Sequence, residues 1–274
     1  MILETIAKDG FAVVRWKDRF DGDPYALAAS LLGVEPLVVE RQIIRPMPNG
    51  RSFASTRIDT PLHTDSQMFG GVSASIQILA CVRAAPRGGE SVLVDGHRIL
   101  AHLEKEDPDL YAAVHDVERH QRFYFGDVVG PTVAMRGGHH VWTYSPVTSR
   151  PPNDHIGQRL DALLANRAFA HVRTLGEGEV LLASNHRMLH GRGPFEGDRE
   201  LVRLLVWLEA PFTAPNARAK VVVPPRSPEA TLRLRTVLRL LRGLSPSRVA
   251  HEAGIDEPTL YAWRDAFITR GLGG

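Results

Sequence analysis

Apolar and polar positions alternate in short runs along much of the chain, which predicts a mainly β protein. Phe11–Trp16 (FAVVRW) follows a turn at Asp9-Gly10 and predicts a strand. PLVVERQIIRP is strand-like, and from Val72 the segment VSASIQILACVRAA places Ser73, Ser75, Gln77 and Leu79 on one side. SVLVDG predicts a further strand, read as a neighbour of the preceding one across Gly88-Gly89. Residues 120–145 return to short strands with Gly pairs, and HVRTLGEGEVLLASNHRMLHGR and RELVRLLVWLEAPF predict strands around a loop. The last of these sets Arg199, Leu201, Arg203, Leu205 and Trp207 against Val202, Leu204, Val206 and Leu208, so both faces are apolar enough to be buried.

Helical spacing interrupts this pattern at a few places. DPYALAASLLG stops at Gly33, HRILAHLEKEDPDLYAAVHD breaks at Pro108, and DHIGQRLDALLANRAF is amphipathic. Short strands with few helices predict a β-sandwich or jelly-roll barrel flanked by helices. After the Pro-rich VVVPPRSP the texture becomes helical, which predicts a barrel domain over 1–222 and a small all-α extension over 223–274. Within the extension, SPSRVAHEAGIDEPTLYAWRDAF has a helix start at Ser245-Pro246, a stop at Gly254 and a second start at Asp256-Glu257-Pro258. It resembles the helix-turn-helix of transposase and resolvase-type DNA-binding modules.

Composition narrows the classes. Hydrophobic residues at 43% and charged ones at 23% are those of an ordinary globular protein. The net charge of +2 is uneven: eight arginines against five acids fall in 226–274, leaving the first 225 residues slightly acidic. Yet the second helix of the extension carries Glu257, Thr259, Tyr261 and Arg264, too little basic charge for a phosphate footprint. The extension is therefore read first as packing on the barrel, closing its site or making a dimer contact, and only second as a route to nucleic acid. One cysteine, Cys81, rules out an intramolecular disulfide and suits a reducing cytoplasm. No secretory pattern opens the sequence, and no apolar run approaches the roughly 18 residues of a membrane span.

The candidate chemistry starts at PLHTDSQMF. On an extended chain i and i+2 share a face, so His63 and Asp65 present an imidazole beside a carboxylate. One H-x-D is weak alone, and His102-Leu103-Glu104 is a rival on a charged helix. SNHRMLHGRGPFEGDRELVR adds His190 before a Gly/Pro loop and two arginines on a buried strand, where each needs an anion. Two histidines and a carboxylate with open positions suit non-haem Fe(II). With ILACVRAAPRGGESVLVDG between them, these segments resemble the TauD/TfdA-like, γ-butyrobetaine-hydroxylase-like Fe(II)/2-oxoglutarate-dependent dioxygenases over roughly residues 10–212.

That resemblance implies a double-stranded β-helix in which His63, Asp65 and His190 ligate iron. It also implies that Arg199 pairs with the C5 carboxylate of 2-oxoglutarate, with Ser91 where relatives place a threonine. Arg203 is implied to meet an anionic group of the substrate. The expected reaction is O2-dependent oxidation, most simply hydroxylation, of a small polar metabolite such as an amino acid, free or carrier-protein-bound, with 2-oxoglutarate decarboxylated to succinate. Gln77, Ser66 and Gln67 are further candidate substrate contacts. His186 is a rival ligand to His190, and His139-His140, after a Gly pair, is read as a turn. Two other classes stay open: a DNA-associated regulator using the barrel as a 2-oxoglutarate or metal sensor, and a zinc hydrolase on the same ligands.

Overall fold

Two antiparallel sheets face one another, with helices on the outer face of each. The structure, a computed structural model, describes residues 2–17, 20–50, 52–65, 73–123, 126–146, 154–209, 228–241 and 244–272. Its strands are β1 (Phe11–Arg15), β2 (Val38–Ile44), β3 (Thr60–His63), β4 (Ile76–Arg83) and β5 (Arg87–Gly88). Then come β6 (Ser91–Asp95), β7 (Arg119–Phe123), β8 (Gly126–Gly130), β9 (Val133–Arg136) and β10 (His139–Trp142). The last are β11 (Ala170–Arg173), β12 (Glu179–Ser184), β13 (Met188–Arg192), β14 (Phe195–Glu196) and β15 (Glu200–Trp207). The larger sheet has the order β1-β12-β4-β15-β2 and the smaller β11-β6-β13-β3. This is the mainly β, jelly-roll architecture the alternation predicts.

Helices α1 (Ile2–Asp9) and α2 (Pro24–Leu32) cover the larger sheet. There Ile6, Ala28, Leu31 and Leu32 pack on Ile76, Ile78, Val180, Leu182, Leu204 and Val206. The start of α2 is fixed by the Asp23 carboxylate, which accepts from the Tyr25 and Ala26 amides, and its end by Gly33 at φ 72°. Helices α3 (Gly96–Glu106), α4 (Pro108–Asp116) and α5 (His155–Leu164) cover the smaller sheet around Trp142, Tyr144, Leu160 and Leu189. The alternating side chains left over, among them Cys81, Leu93, Leu181, Met188 and Leu201, fill the space between the sheets. Burial pushes the Cys81 thiol up to about 11, as befits a small core residue.

One strand relation differs from the sequence reading. β4 pairs with β12 and β15, whereas β6 pairs with β11 and β13, so the two segments lie in opposite sheets rather than in one hairpin. Gly88 and Gly89 both have positive φ (74° and 78°) and carry the chain across. Their backbone is pressed on the segment that follows β13: a Cβ on Gly88 would lie 2.2 Å from the Pro194 carbonyl oxygen.

The extension forms α6 (Pro228–Leu241), α7 (Pro246–Ala253) and α8 (Glu257–Leu272). Val249, Ala250 and Leu260 make its own small core, and Gly254 turns between α7 and α8 at φ 67°. Leu234 and Leu238 of α6 and Phe267 of α8 pack against Leu37, Val38, Ala74, Leu205 and Trp207 at one end of the sheets. No helix among the described residues is long and apolar enough to cross a membrane.

Candidate metal centre

β13 runs antiparallel to β3 in a register that sets His190 directly opposite His63. Cross-strand partners in register project to the same face, so both imidazoles enter the space between the sheets, with ring centroids 4.6 Å apart. Asp65 lies two residues beyond His63, past the end of β3. Its Oδ1 is 3.4 Å from His63 Nε2 and its Oδ2 3.5 Å from His190 Nε2. The ligating atoms of the three all fall within 4.8 Å, the one such set among the described residues.

Local hydrogen bonds aim these atoms. His63 Nδ1 donates to the Pro61 carbonyl at 2.9 Å, and His190 Nδ1 to the Met188 carbonyl at 3.3 Å. Each ring is thus fixed by the carbonyl two residues before it, leaving Nε2 as a lone pair facing the carboxylate. Burial opposes ionisation of Asp65, but Arg203 and the two imidazoles outweigh it and hold the carboxyl well below its usual range. Burial and the neighbouring His63 lower the pKa of His190, which keeps it neutral and able to ligate.

Three residues that sequence reasoning passed over complete the frame. The Asn185 carboxamide accepts from the Asp65 amide at 2.7 Å and donates to the Asp65 and Ala74 carbonyls at 3.0 and 2.8 Å. It is fully buried and fixes the backbone of Asp65, which has left its strand. Gln42, opposite Arg203 in the β2–β15 register, accepts from the Arg203 guanidinium, which also donates to both Asp65 oxygens at 3.1 and 2.9 Å. Gly191 allows β3 to approach β13 just past the His190–His63 pair: a Cβ there would lie 2.5 Å from the Thr60 carbonyl oxygen. Gly191→Ala is therefore expected to push β3 off β13 and weaken metal affinity by about 10–100-fold. Equilibrium dialysis against Fe(II) or Co(II) under argon measures this, and unchanged affinity would show that the close approach is dispensable.

The two triad imidazoles open on a cleft of about 90 Å³ walled by Ile44, Gln77, Leu79, Leu201 and Arg203 on one side and Thr60, Ser91 and Arg192 on the other, with Arg199 also in its lining. Gln77 donates from Nε2 to Asp65 Oδ2 at 2.6 Å, and that nitrogen lies 2.8 Å from His190 Nε2, while its own Oε1 is buried without a partner. Arg199 is 6% exposed, donates to the Gly89 carbonyl at 3.3 Å and lies over the Phe195 ring; no carboxylate among the described residues pairs with it. Burial lowers its pKa. Arg192 flanks the same ring and is brought down to about 10 by burial and by the charge of Arg199. It donates to the Phe53, Thr56 and Ile58 carbonyls and so ties down the segment leading to β3. Ser66 and Gln67 lie outside the described residues.

His186, the rival ligand, is turned away: its Nε2 faces the Ser73 carbonyl at 3.2 Å in the core. Residues 185–187 precede β13 and do not share its alternation, which is why the i−4 spacing misled. Burial, only partly offset by that carbonyl, pushes His186 down to about 4. A depressed histidine binds fewer protons folded than unfolded, so its contribution is present above pH ~6.5 and is lost as pH falls toward 4, by about 3 kcal/mol at most. Urea unfolding across that window is expected to show this slope flattened in His186→Gln. Equal slopes would place the acid sensitivity elsewhere.

The family model described as taurine catabolism dioxygenase TauD, TfdA family matches residues 2–205. The chain belongs to this family. It is similar to dioxygenase str8 of Strobilurus tenacellus, at 28% identity over 167 residues, which are 56% of this chain and 39% of that protein. The match thus spans about two fifths of the curated relative's length. Among solved structures, an asparagine oxygenase in complex with Fe(II), 3-hydroxyasparagine and succinate superposes with a TM-score of 0.59 at 18% identity, covering 75% of this chain and 77% of that one. The non-haem iron oxygenase OrfP, in complex with Fe and α-ketoglutaric acid, gives 0.55 at 19%, covering 75% and 78%. At such identities the likeness is one of fold. The TauD/TfdA match ends two residues before the end of β15, so the three helices of the extension lie beyond it.

Proposed function

We propose that the chain is an Fe(II)/2-oxoglutarate-dependent oxygenase that hydroxylates an amino acid or amino-acid-like acid, free or carrier-protein-bound, and turns 2-oxoglutarate into succinate. The observation that carries this is Arg199, a buried guanidinium without a carboxylate partner among the described residues, in the same cleft as His63 and His190, whose Nε2 atoms face the Asp65 carboxylate. A hydrolytic zinc site would use the triad but leave that cation unexplained. The donor set fits a facially bound Fe(II), with two imidazoles and one carboxylate on one side and the cleft on the other.

When bound, Fe(II) couples O2 reduction to the oxidative decarboxylation of 2-oxoglutarate and to oxidation of the substrate. His63, Asp65 and His190 hold the ion. Arg199 presents a fork to the distal carboxylate of the keto acid, a geometry lysine lacks, and Ser91 on the opposite wall offers a hydroxyl to the same group. Arg203 fixes Asp65, and its buried Nε, which has no hydrogen-bond partner, is the donor left for an acidic group of the substrate. The buried Gln77 carbonyl serves a substrate amine or amide. Leu79, Leu201 and Ile44 make the apolar wall that limits water. The relatives of similar fold include complexes with 3-hydroxyasparagine and (3S)-hydroxy-L-Arg, which supports an amino-acid-like substrate. One buried cysteine suits a reducing cytoplasm as the place of action.

Anaerobic titration of the metal-free protein with Fe(II) and then 2-oxoglutarate tests this reading. A visible charge-transfer band is expected once both are present. Iron binding without the band would overturn the cofactor assignment.

A further inference from the structure

Four more imidazoles gather on the outer side of the smaller sheet, away from the triad. His97 is in the first turn of α3, His115 in the last turn of α4, and His139 and His140 open β10. His140 stands between the other two elements, its ring centroid 5.9 Å from that of His97 and 5.3 Å from that of His115. Nε2 of His97, Nε2 of His115 and Nδ1 of His139 are enclosed and have no hydrogen-bond partner. Two orphaned ring nitrogens on the rings that flank His140 are more than packing requires, because enclosed polar atoms are normally paired.

The rings are also prepared to ligate. His115 Nδ1 donates to the Val133 carbonyl at 3.1 Å, so its Nε2 carries the lone pair, the same device that aims His63 and His190. Burial, with Arg187 and the other imidazoles, holds His97 down to about 4, and burial and its neighbours lower His140, so both are neutral at neutral pH. The nearby Arg187 charge is met by Asp95 through bonds of 2.8 and 2.6 Å. A ring ligated at about 2.0–2.1 Å has its centroid about 3.2 Å from the ion, so two ligand rings in a tetrahedral shell stand about 5.2 Å apart. The His115–His140 separation matches that value, and His97–His140 exceeds it by about 0.7 Å.

We propose that His97, His115 and His140 form a second site for a borderline divalent cation such as Zn²⁺ or Co²⁺. The donor atoms are more spread than those of the triad, and side-chain rotation on binding closes them. Imidazole ligands without a carboxylate suit these ions better than Mg²⁺ or Ca²⁺. Such an ion ties α3, α4 and the β9–β10 hairpin together. It braces β6 as well, since His97 follows Asp95, which pairs with Met188 of the strand carrying His190. The sequence reading assigned His139-His140 to a turn; they open β10 just after the Gly137-Gly138 turn, and only the fold brings α3 and α4 to His140.

The test is equilibrium dialysis of the metal-free full chain, free of any purification tag, against Co²⁺, with bound metal counted. Two equivalents are expected for the native chain and one for His63→Ala/His190→Ala. His97→Gln/His140→Gln is expected to lose one equivalent yet keep the charge-transfer band with Fe(II) and 2-oxoglutarate, which separates this site from the iron reading. A single equivalent in the native chain, or a second equivalent that survives His97→Gln/His140→Gln, overturns the proposal. Should that variant not fold, X-ray absorption of the Zn²⁺-loaded His63→Ala/His190→Ala chain counts the imidazoles directly. Three or more support the site, and two or fewer overturn it.

Discussion

Replacing Arg199 by leucine is expected to raise the dissociation constant of 2-oxoglutarate by about 100-fold or more, while Fe(II) binding changes little. Arg199 is buried beside Phe195 and has one backbone carbonyl as its hydrogen-bond partner, so a carboxylate arriving there meets an almost dry guanidinium. Removing one partner of such a buried, hydrogen-bonded charge pair costs about 2–5 kcal/mol, roughly 30-fold to several thousand-fold in affinity. Arg199→Lys is expected to recover only part of this, because a point charge cannot reproduce the two-pronged contact. Anaerobic titration of the Fe(II)-loaded variants with 2-oxoglutarate measures it. An unchanged dissociation constant in Arg199→Leu would remove the main support for the keto-acid assignment.

Asp65→Ala is expected to lower turnover by at least about 10³-fold and to destabilise the fold as well. The first effect follows from losing one of the three proposed metal ligands. The second arises because Arg203 donates to both Asp65 oxygens from a side chain that is 19% exposed, and would be left with Gln42 alone. Stranding a partly buried cation of this kind costs about 2 kcal/mol, less than the roughly 3–5 kcal/mol of a fully buried one. Asp65→Ala combined with Arg203→Leu should therefore recover stability without recovering turnover. Denaturant midpoints and succinate yields on the same samples separate the two. If Asp65→Ala kept turnover, the carboxylate would be an orienting group and not a ligand.

Much of this site was legible because it is built from strand alternation. On β15 the row Leu201, Arg203 and Leu205 keeps its alternation and both faces are buried as read, and Asp65 still ends beside His63 although it has left β3, whereas Arg199 precedes β15 behind a register shift at Glu200–Leu201. Juxtapositions made by topology were not legible. The His190–His63 register depends on which strand β13 pairs with, and nothing local to SNHRMLHGR states it. The same holds for Asn185: an asparagine before a strand has many uses, and its grip on Asp65 exists only once the two segments meet. β4 and β6 were read as a hairpin because Gly-Gly between two apolar runs is a strong local signal for one. Two successive positive-φ glycines also serve to change sheets, and only long-range pairing decides between the uses. The N-terminal helix α1 went unread, its eight residues making only about two turns.

Leu205 and Trp207 extend the inward-facing row of β15 past Arg203, and there they meet Leu234, Leu238 and Phe267 instead of another strand. The helical extension therefore works as a stopper. Cutting the chain at its proline-rich linker would yield a barrel with an apolar end uncovered, prone to self-association. Grafting the same helices onto another barrel would carry a mismatched plug. The two parts read as separable on the page of letters, yet along this seam each has been shaped to the other, and any attempt to exchange them has to move Trp207 and its neighbours too.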